Sequence, residues 1–173
     1  PGSDETIAEI EQELEQAKAT LKKAGIKVNT ILSDVGVAID CKRAIEAHMD
    51  TFPSLDILIN NAGKAGRYAH LGDTNNDISS HDPAGMSAII ATNLSGPYFM
   101  LHHALPYMRR LKRGRIINVS KRTESMHRKA WTPYGPTKAA LEAATIAWAE
   151  SLAETGLTVN TLSPGGAVNT KFG

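Results

Sequence analysis

Two side chains in the stretch "TPYGPTKAAL", Tyr134 and Lys138, have the types and spacing that acid–base chemistry needs. Positions four apart on a helix share a face, which sets a lysine ammonium beside a phenol. A neighbouring positive charge favours phenolate, so the tyrosine pKa is expected below its ordinary value of about 10, within reach of a working acid or base. A lone Tyr-x-x-x-Lys pair also occurs on solvated helix faces, so its meaning rests on its surroundings. Metal chemistry has few ligands available: Cys41 is the single cysteine, and His102 and His103 are adjacent rather than one turn apart. No metal site is expected, and Cys41 reads as a small core residue.

The elements that must position the pair alternate between helical and extended patterns. Residues 4–24 carry Ile7, Ile10, Leu14, Ala17 and Leu21 at three-and-four spacing, acidic residues early and lysines late, with Gly25 as the stop. The pattern predicts a packed surface helix rather than a coiled-coil strand. "IKVNTILSDV" (26–35) predicts a strand, 37–52 a helix with Ile39, Ala44, Ile45 and Met49 inward, and "LDILINN" (55–61) a short buried strand. A polar loop covers 64–82. Pro83 opens a helix to about Leu111, "RIINVS" (115–120) is a strand, 134–155 a helix with Pro136 in its first turn, and "LTVNTLS" (157–163) a last strand.

Strands alternating with helices of this length imply a parallel sheet, with ligands at the carboxyl ends of its strands. The residues there are Asp34 and Val35, then Asn60, Asn61, Ala62 and Gly63, then Ser120 and Lys121, then "PGGAVNT" from Pro164 to Thr170. Gly63, Gly165 and Gly166 let a ligand approach the backbone, while Asp34, Asn60 and Asn61 can fix its polar groups. Each glycine alone reads as a plain turn, whereas four such loops on one edge read as a binding site.

Composition narrows the class. With 42% apolar and 21% charged residues the chain is ordinary globular protein, read as one domain over 1–173, and a net charge of +1 gives no reason to expect nucleic acid or another acidic polymer. The basic run "RRLKRGR" falls at a helix C-terminus, where positive charge is stabilising, and no aromatics interleave with it. No apolar run approaches the ~18 residues of a membrane span, and neither a basic n-region nor an apolar h-region opens the chain. The expectation is a cytoplasmic protein with no membrane partner.

In this order, these motifs resemble the short-chain dehydrogenase/reductase family. Asp34-Val35 resembles the family's adenine-contacting pair, "NNAG" its fourth-strand motif, "NLSG" the segment with the helix asparagine, "YGPTK" the Tyr-x-x-x-Lys motif, and "PGGAVNT" the Pro-Gly loop over the nicotinamide. The resemblance implies a Rossmann-type, doubly wound parallel sheet in three α/β/α layers, NAD or NADP as cofactor, and a small carbonyl or alcohol substrate. It implies Tyr134 as proton donor or acceptor, Lys138 as the residue that lowers its pKa and holds the nicotinamide ribose, and Asn93 as the keeper of a water in a proton relay. Cofactor contacts are implied for Asp34, Val35, Asn60, Asn61, Ala62, Gly63, Tyr134, Lys138, Pro164, Gly165, Val168 and Thr170. A homodimer or homotetramer through helices 84–111 and 134–155 is implied as well.

Two departures stand out. The family's first two strands, with the glycine-rich turn and intervening helix, have no counterpart in this sequence, which implies part of a longer enzyme of roughly 250 residues. The family's catalytic serine aligns with Lys121, thirteen residues before Tyr134. Strand alternation points Ser120 away from the site unless a bulge turns it, so Thr123, or after it Ser125, is expected to supply a hydroxyl from the loop, or a bulge brings Ser120 in, or Lys121 takes the place itself. A nucleotide-binding relative without turnover, or an assembly scaffold, is the alternative to an oxidoreductase.

Overall fold

A computed structural model of the 173-residue chain describes residues 7–65, 77–128 and 132–164. In chain order the elements are α1 (Ile7–Lys23), α2 (Ala38–Thr51), β1 (Ile57–Asn60), a 3-10 turn (Ile78–Ser80), α3 (Pro83–Ile90), a π turn (Ala91–Ser95), α4 (Gly96–Leu111), β2 (Gly114–Val119), α5 (Thr123–Met126), α6 (Tyr134–Ser151) and β3 (Leu157–Leu162). Local chemistry accounts for several boundaries. The Asp82 side chain accepts from the Ala84 and Gly85 amides at 3.2 and 2.8 Å and caps α3, with Pro83 in the first turn where its missing N–H costs nothing. Lys112, at φ 51°, takes the left-handed conformation that ends α4.

β1, β2 and β3 form a parallel sheet in that order, with Asn60 opposite Asn118 and Val119 opposite Leu162. Alternation then sorts the side chains. Leu58, Ile116 and Val159 face a core shared with Leu101, Ala104 and Met108 of α4, Ile45 of α2, and Leu152. On the other face Ile57, Ile59 and Leu162 remain 56%, 58% and 53% exposed. Within the core a polar ladder ties the layers: Asn60 Nδ2 donates to Asn118 Oδ1 at 2.8 Å, Asn118 Nδ2 to Thr145 Oγ1 at 2.8 Å, and Thr145 Oγ1 to the Leu141 carbonyl at 2.7 Å. A slip of one residue in the β1–β2 register would turn these amides away from each other, so the ladder fixes the alignment of the strand ends.

The strand expected over 26–35 is a correction. Its residues adopt no ladder, because a strand needs a neighbour and β1 pairs only with β2 among the described residues. They lie instead along α2, where Lys27 Nζ donates to the Thr51 carbonyl at 2.6 Å and Asn29 Nδ2 to Thr51 Oγ1 at 3.0 Å. Ile39, expected inward, is exposed, whereas Ile45 and Cys41 are buried as expected and Ala44 and Met49 are half-buried. The packed surface expected for α1 is likewise not found: it has no buried residue. The helix expected from Pro83 to Leu111 runs that length but widens into the π turn at its middle.

Gly156 closes the turn into β3. Its φ of +81° is left-handed, and a Cβ there would fall 1.9 Å from the Lys112 carbonyl oxygen. Gly156→Ala therefore meets both backbone strain and a collision with main chain, and a loss of at least ~2 kcal/mol is expected in urea unfolding.

Candidate active site

The carboxyl ends of β1 and β2 bring the expected loops to one edge, and α6 begins there. Tyr134, in the first turn of α6, is buried, and Lys138 one turn later is 2% exposed. Lys138 Nζ donates to the carbonyl of Val119, the last residue of β2, at 2.7 Å and stands 5.7 Å from the centre of the Tyr134 ring. Lys121, two residues past Val119, sets its own Nζ 5.2 Å from the same ring. The short α5 packs against this turn so closely that a Cβ on Gly135 would lie 2.1 Å from the Met126 carbonyl oxygen.

Burial governs the electrostatics. It brings Lys138 down to about 8, and it brings Lys121 down to about 8 with help from the positive charge of Arg128. Both ammonium groups still carry most of their charge at neutral pH. The phenol of Tyr134 is pushed above its ordinary value by burial, opposite to the direction that the Tyr–Lys spacing predicts. Desolvation outweighs the neighbouring charge here because Lys138 meets the ring at its face and directs Nζ to the Val119 carbonyl.

Asn93 sits in the π turn, fully enclosed. Its Oδ1 accepts from the Lys64 amide at 2.7 Å, and its Nδ2 donates to the Lys64 carbonyl at 3.0 Å and to Thr137 Oγ1 at 3.1 Å. Thr137 Oγ1 donates in turn to the Tyr134 carbonyl at 2.7 Å, so one amide joins the loop after β1 to the turn that carries Tyr134 and Lys138. Sequence reasoning missed Thr137 and Asn118. Asn118 left a signal, an amide inside the apolar run "RIINV".

The remaining expected residues divide. Asn60 is buried with its amide nitrogen on Asn118, which leaves Asn61 and Ala62 as the exposed part of that turn, with Gly63 half-buried. Asp34 Oδ1 accepts from the Gly36 amide at 2.8 Å, and the Val35 carbonyl accepts from Cys41 Sγ at 3.2 Å. Ser120 is buried, its hydroxyl without a hydrogen-bond partner among the described residues, while Thr123 is exposed at the start of α5. Pro164 is the last described residue, and Gly165, Val168 and Thr170 lie outside the described residues.

A family model for short chain dehydrogenase matches residues 5–173. The chain is 30% identical over 154 residues to an uncharacterised oxidoreductase of Bacillus subtilis, covering 89% of this chain and 51% of that protein. It is 31% identical over 145 residues to the 3-oxoacyl-[acyl-carrier-protein] reductase of Staphylococcus aureus, covering 84% of this chain and 56% of that one. The chain thus spans about half the length of the curated relatives it matches. A metagenomic short-chain oxidoreductase solved in complex with NADP superposes with a TM-score of 0.77 at 25% identity, covering 90% of this chain and 67% of that one. NAD+-bound xylitol dehydrogenase superposes with a TM-score of 0.79 at 24% identity, covering 89% and 56%, a likeness of fold. These superpositions show the Rossmann-type doubly wound parallel fold expected from the sequence.

The buried lysines make stability depend on pH. In the unfolded chain they titrate near 10.5, in the folded one near 8, so above pH 8 the unfolded state holds protons that the folded state has released. Stability should rise with pH through that window. Cys41, pushed up to about 11 from 9.0, opposes the rise above pH 9. Urea unfolding between pH 8 and 9 is expected to show increasing stability in the parent and a flatter dependence in Lys121→Met.

Proposed function

Because the chain belongs to the short-chain dehydrogenase family, we propose that it is part of an NAD(P)-dependent oxidoreductase acting on a small carbonyl or alcohol, with Tyr134 as the proton donor and acceptor. The observation that carries this reading is the placement of Tyr134 and Lys138 on the carboxyl edge of a parallel sheet, with Lys138 anchored to the end of β2. The residues there suit a dinucleotide: the exposed Asn61–Ala62 backbone and Gly63 leave room at the end of β1, Asp34 offers a half-buried carboxylate, and the buried ammonium of Lys138 has protons beyond the one given to Val119 that would serve a ribose hydroxyl. A bound nicotinamide supplies or takes up the hydride.

The residues of the chain handle the proton. A phenol held above its usual pKa stays protonated at neutral pH and is ready to donate to a carbonyl oxygen as negative charge builds there. The phenolate left behind is stabilised by the ammonium of Lys138. In the oxidative direction Tyr134 must first lose its proton, which higher pH favours. Asn93 contributes through position: it fastens Lys64 to Thr137 and so steadies the first turn of α6. The exposed Tyr98 of α4 and Ile146 of α6 suit self-association through these helices as a homodimer or homotetramer.

Lys121 favours a second reading, a nucleotide-binding relative without turnover, because the resemblance places a catalytic serine at this position. Absorbance at the nicotinamide band distinguishes turnover from binding alone. In the full-length protein, Tyr134→Phe is expected to lower kcat by at least a hundredfold with dinucleotide affinity within about twofold, since only the proton donor is removed. Asp34→Ala should raise the dinucleotide KM several-fold and leave kcat within about twofold. Full activity in Tyr134→Phe would remove the proposed mechanism, and an unchanged KM in Asp34→Ala would remove the adenine contact.

A further inference from the structure

Lys121 is not used by the proton transfer just described, yet it lies against the same phenol. Its Nζ is 5.2 Å from the Tyr134 ring centre, closer than Lys138 at 5.7 Å, and Lys138 is committed to the Val119 carbonyl. Two ammonium groups on one ring, with Arg128 near enough to act on Lys121 through its charge, concentrate positive potential beside the proposed proton donor. The segment Lys121–Arg128 adds to it, carrying three basic side chains against one acidic, with His127, in a chain whose net charge is only +1. Like charges brought close repel one another, and an anionic ligand among them is attracted by each.

We propose that Lys121 is a specificity-determining residue of the proposed site, its ammonium pairing with a carboxylate carried by the substrate close to the reacting carbonyl, so that the preferred substrates are short oxo acids. The inference rests on the oxidoreductase reading, which places the substrate oxygen at Tyr134. Lys121 is half-buried, and its nitrogen is shielded from bulk water, which strengthens its attraction for an anion that comes to lie beside the phenol. A serine hydroxyl would serve neutral and charged carbonyl compounds alike, whereas an ammonium discriminates between them.

The test compares acetoacetate with its methyl ester in the full-length protein, two probes with the same ketone that differ in the carboxylate. The parent is expected to prefer the acid by about tenfold or more in kcat/KM, as for a charged hydrogen bond. Lys121→Met should abolish the preference by raising KM for the acid with KM for the ester within about twofold, and Lys121→Arg should retain it. NADH and NADPH affinities should be unchanged in Lys121→Met; a drop in them without loss of acid preference would mean that the lysine serves a cofactor phosphate and would overturn the proposal. An equal preference in parent and Lys121→Met would overturn it too. If the parent turns over neither probe, ligand-observed NMR of acetoacetate decides: binding in the parent that disappears in Lys121→Met supports the carboxylate site even as the redox reading fails. Absent or unaltered binding rejects the site.

Discussion

The hydrogen bond from Lys138 to the Val119 carbonyl is the constraint on which the site depends. A parallel strand that ends leaves its last carbonyls without a ladder partner, and a helix that begins at the same edge needs an anchor against the sheet. One buried ammonium meets both needs. It also brings Tyr134 to the strand ends, because the residue four positions earlier follows the helix wherever the lysine is tied. Charge-assisted bonds of this kind are shorter and stronger than neutral ones, which suits a contact that must hold a helix terminus in place.

Around that anchor the buried amides set alignment. Asn60, Asn118 and Thr145 link β1, β2 and α6 through the core, and Asn93 links the loop after β1 to the first turn of α6 through Thr137. An apolar core alone would tolerate small shifts of one layer over another. Amides that satisfy each other in one arrangement penalise such shifts, since a displaced donor stays buried without a partner. The site is held by two such networks, one inside the sheet and one behind the helix terminus.

Much of this was legible in the sequence, and the reason lies in periodicity. Leu58, Ile116 and Val159 declare their strands by alternation, Tyr134 and Lys138 declare a helix face by spacing, and β1, β2 and β3 fall within one or two residues of expectation. Segment 26–35 has equally good alternation but adopts no ladder, since pairing is a property of two segments and alternation of one. The direction of the Tyr134 shift escapes the sequence for a similar reason: the spacing shows the neighbouring charge but not the depth of burial. The π turn and the short α5 carry no periodic signature, and both follow from contacts made elsewhere, at Lys64 and at Gly135.

The Asn60–Asn118 pair joins residues 58 positions apart, with α3 and α4 lying between them. Closing so long a loop costs chain entropy before pairing rewards it, so this contact adds to the sequence separation that slows folding. Before these strands pair, Leu58 of "ILIN" and Ile116 of "RIIN" are unshielded in the same nascent chain. The buried amides that align the finished sheet therefore also act as a kinetic filter: an encounter between these strands in any other register gains apolar contact but strands its asparagines, and dissolves before it can mature.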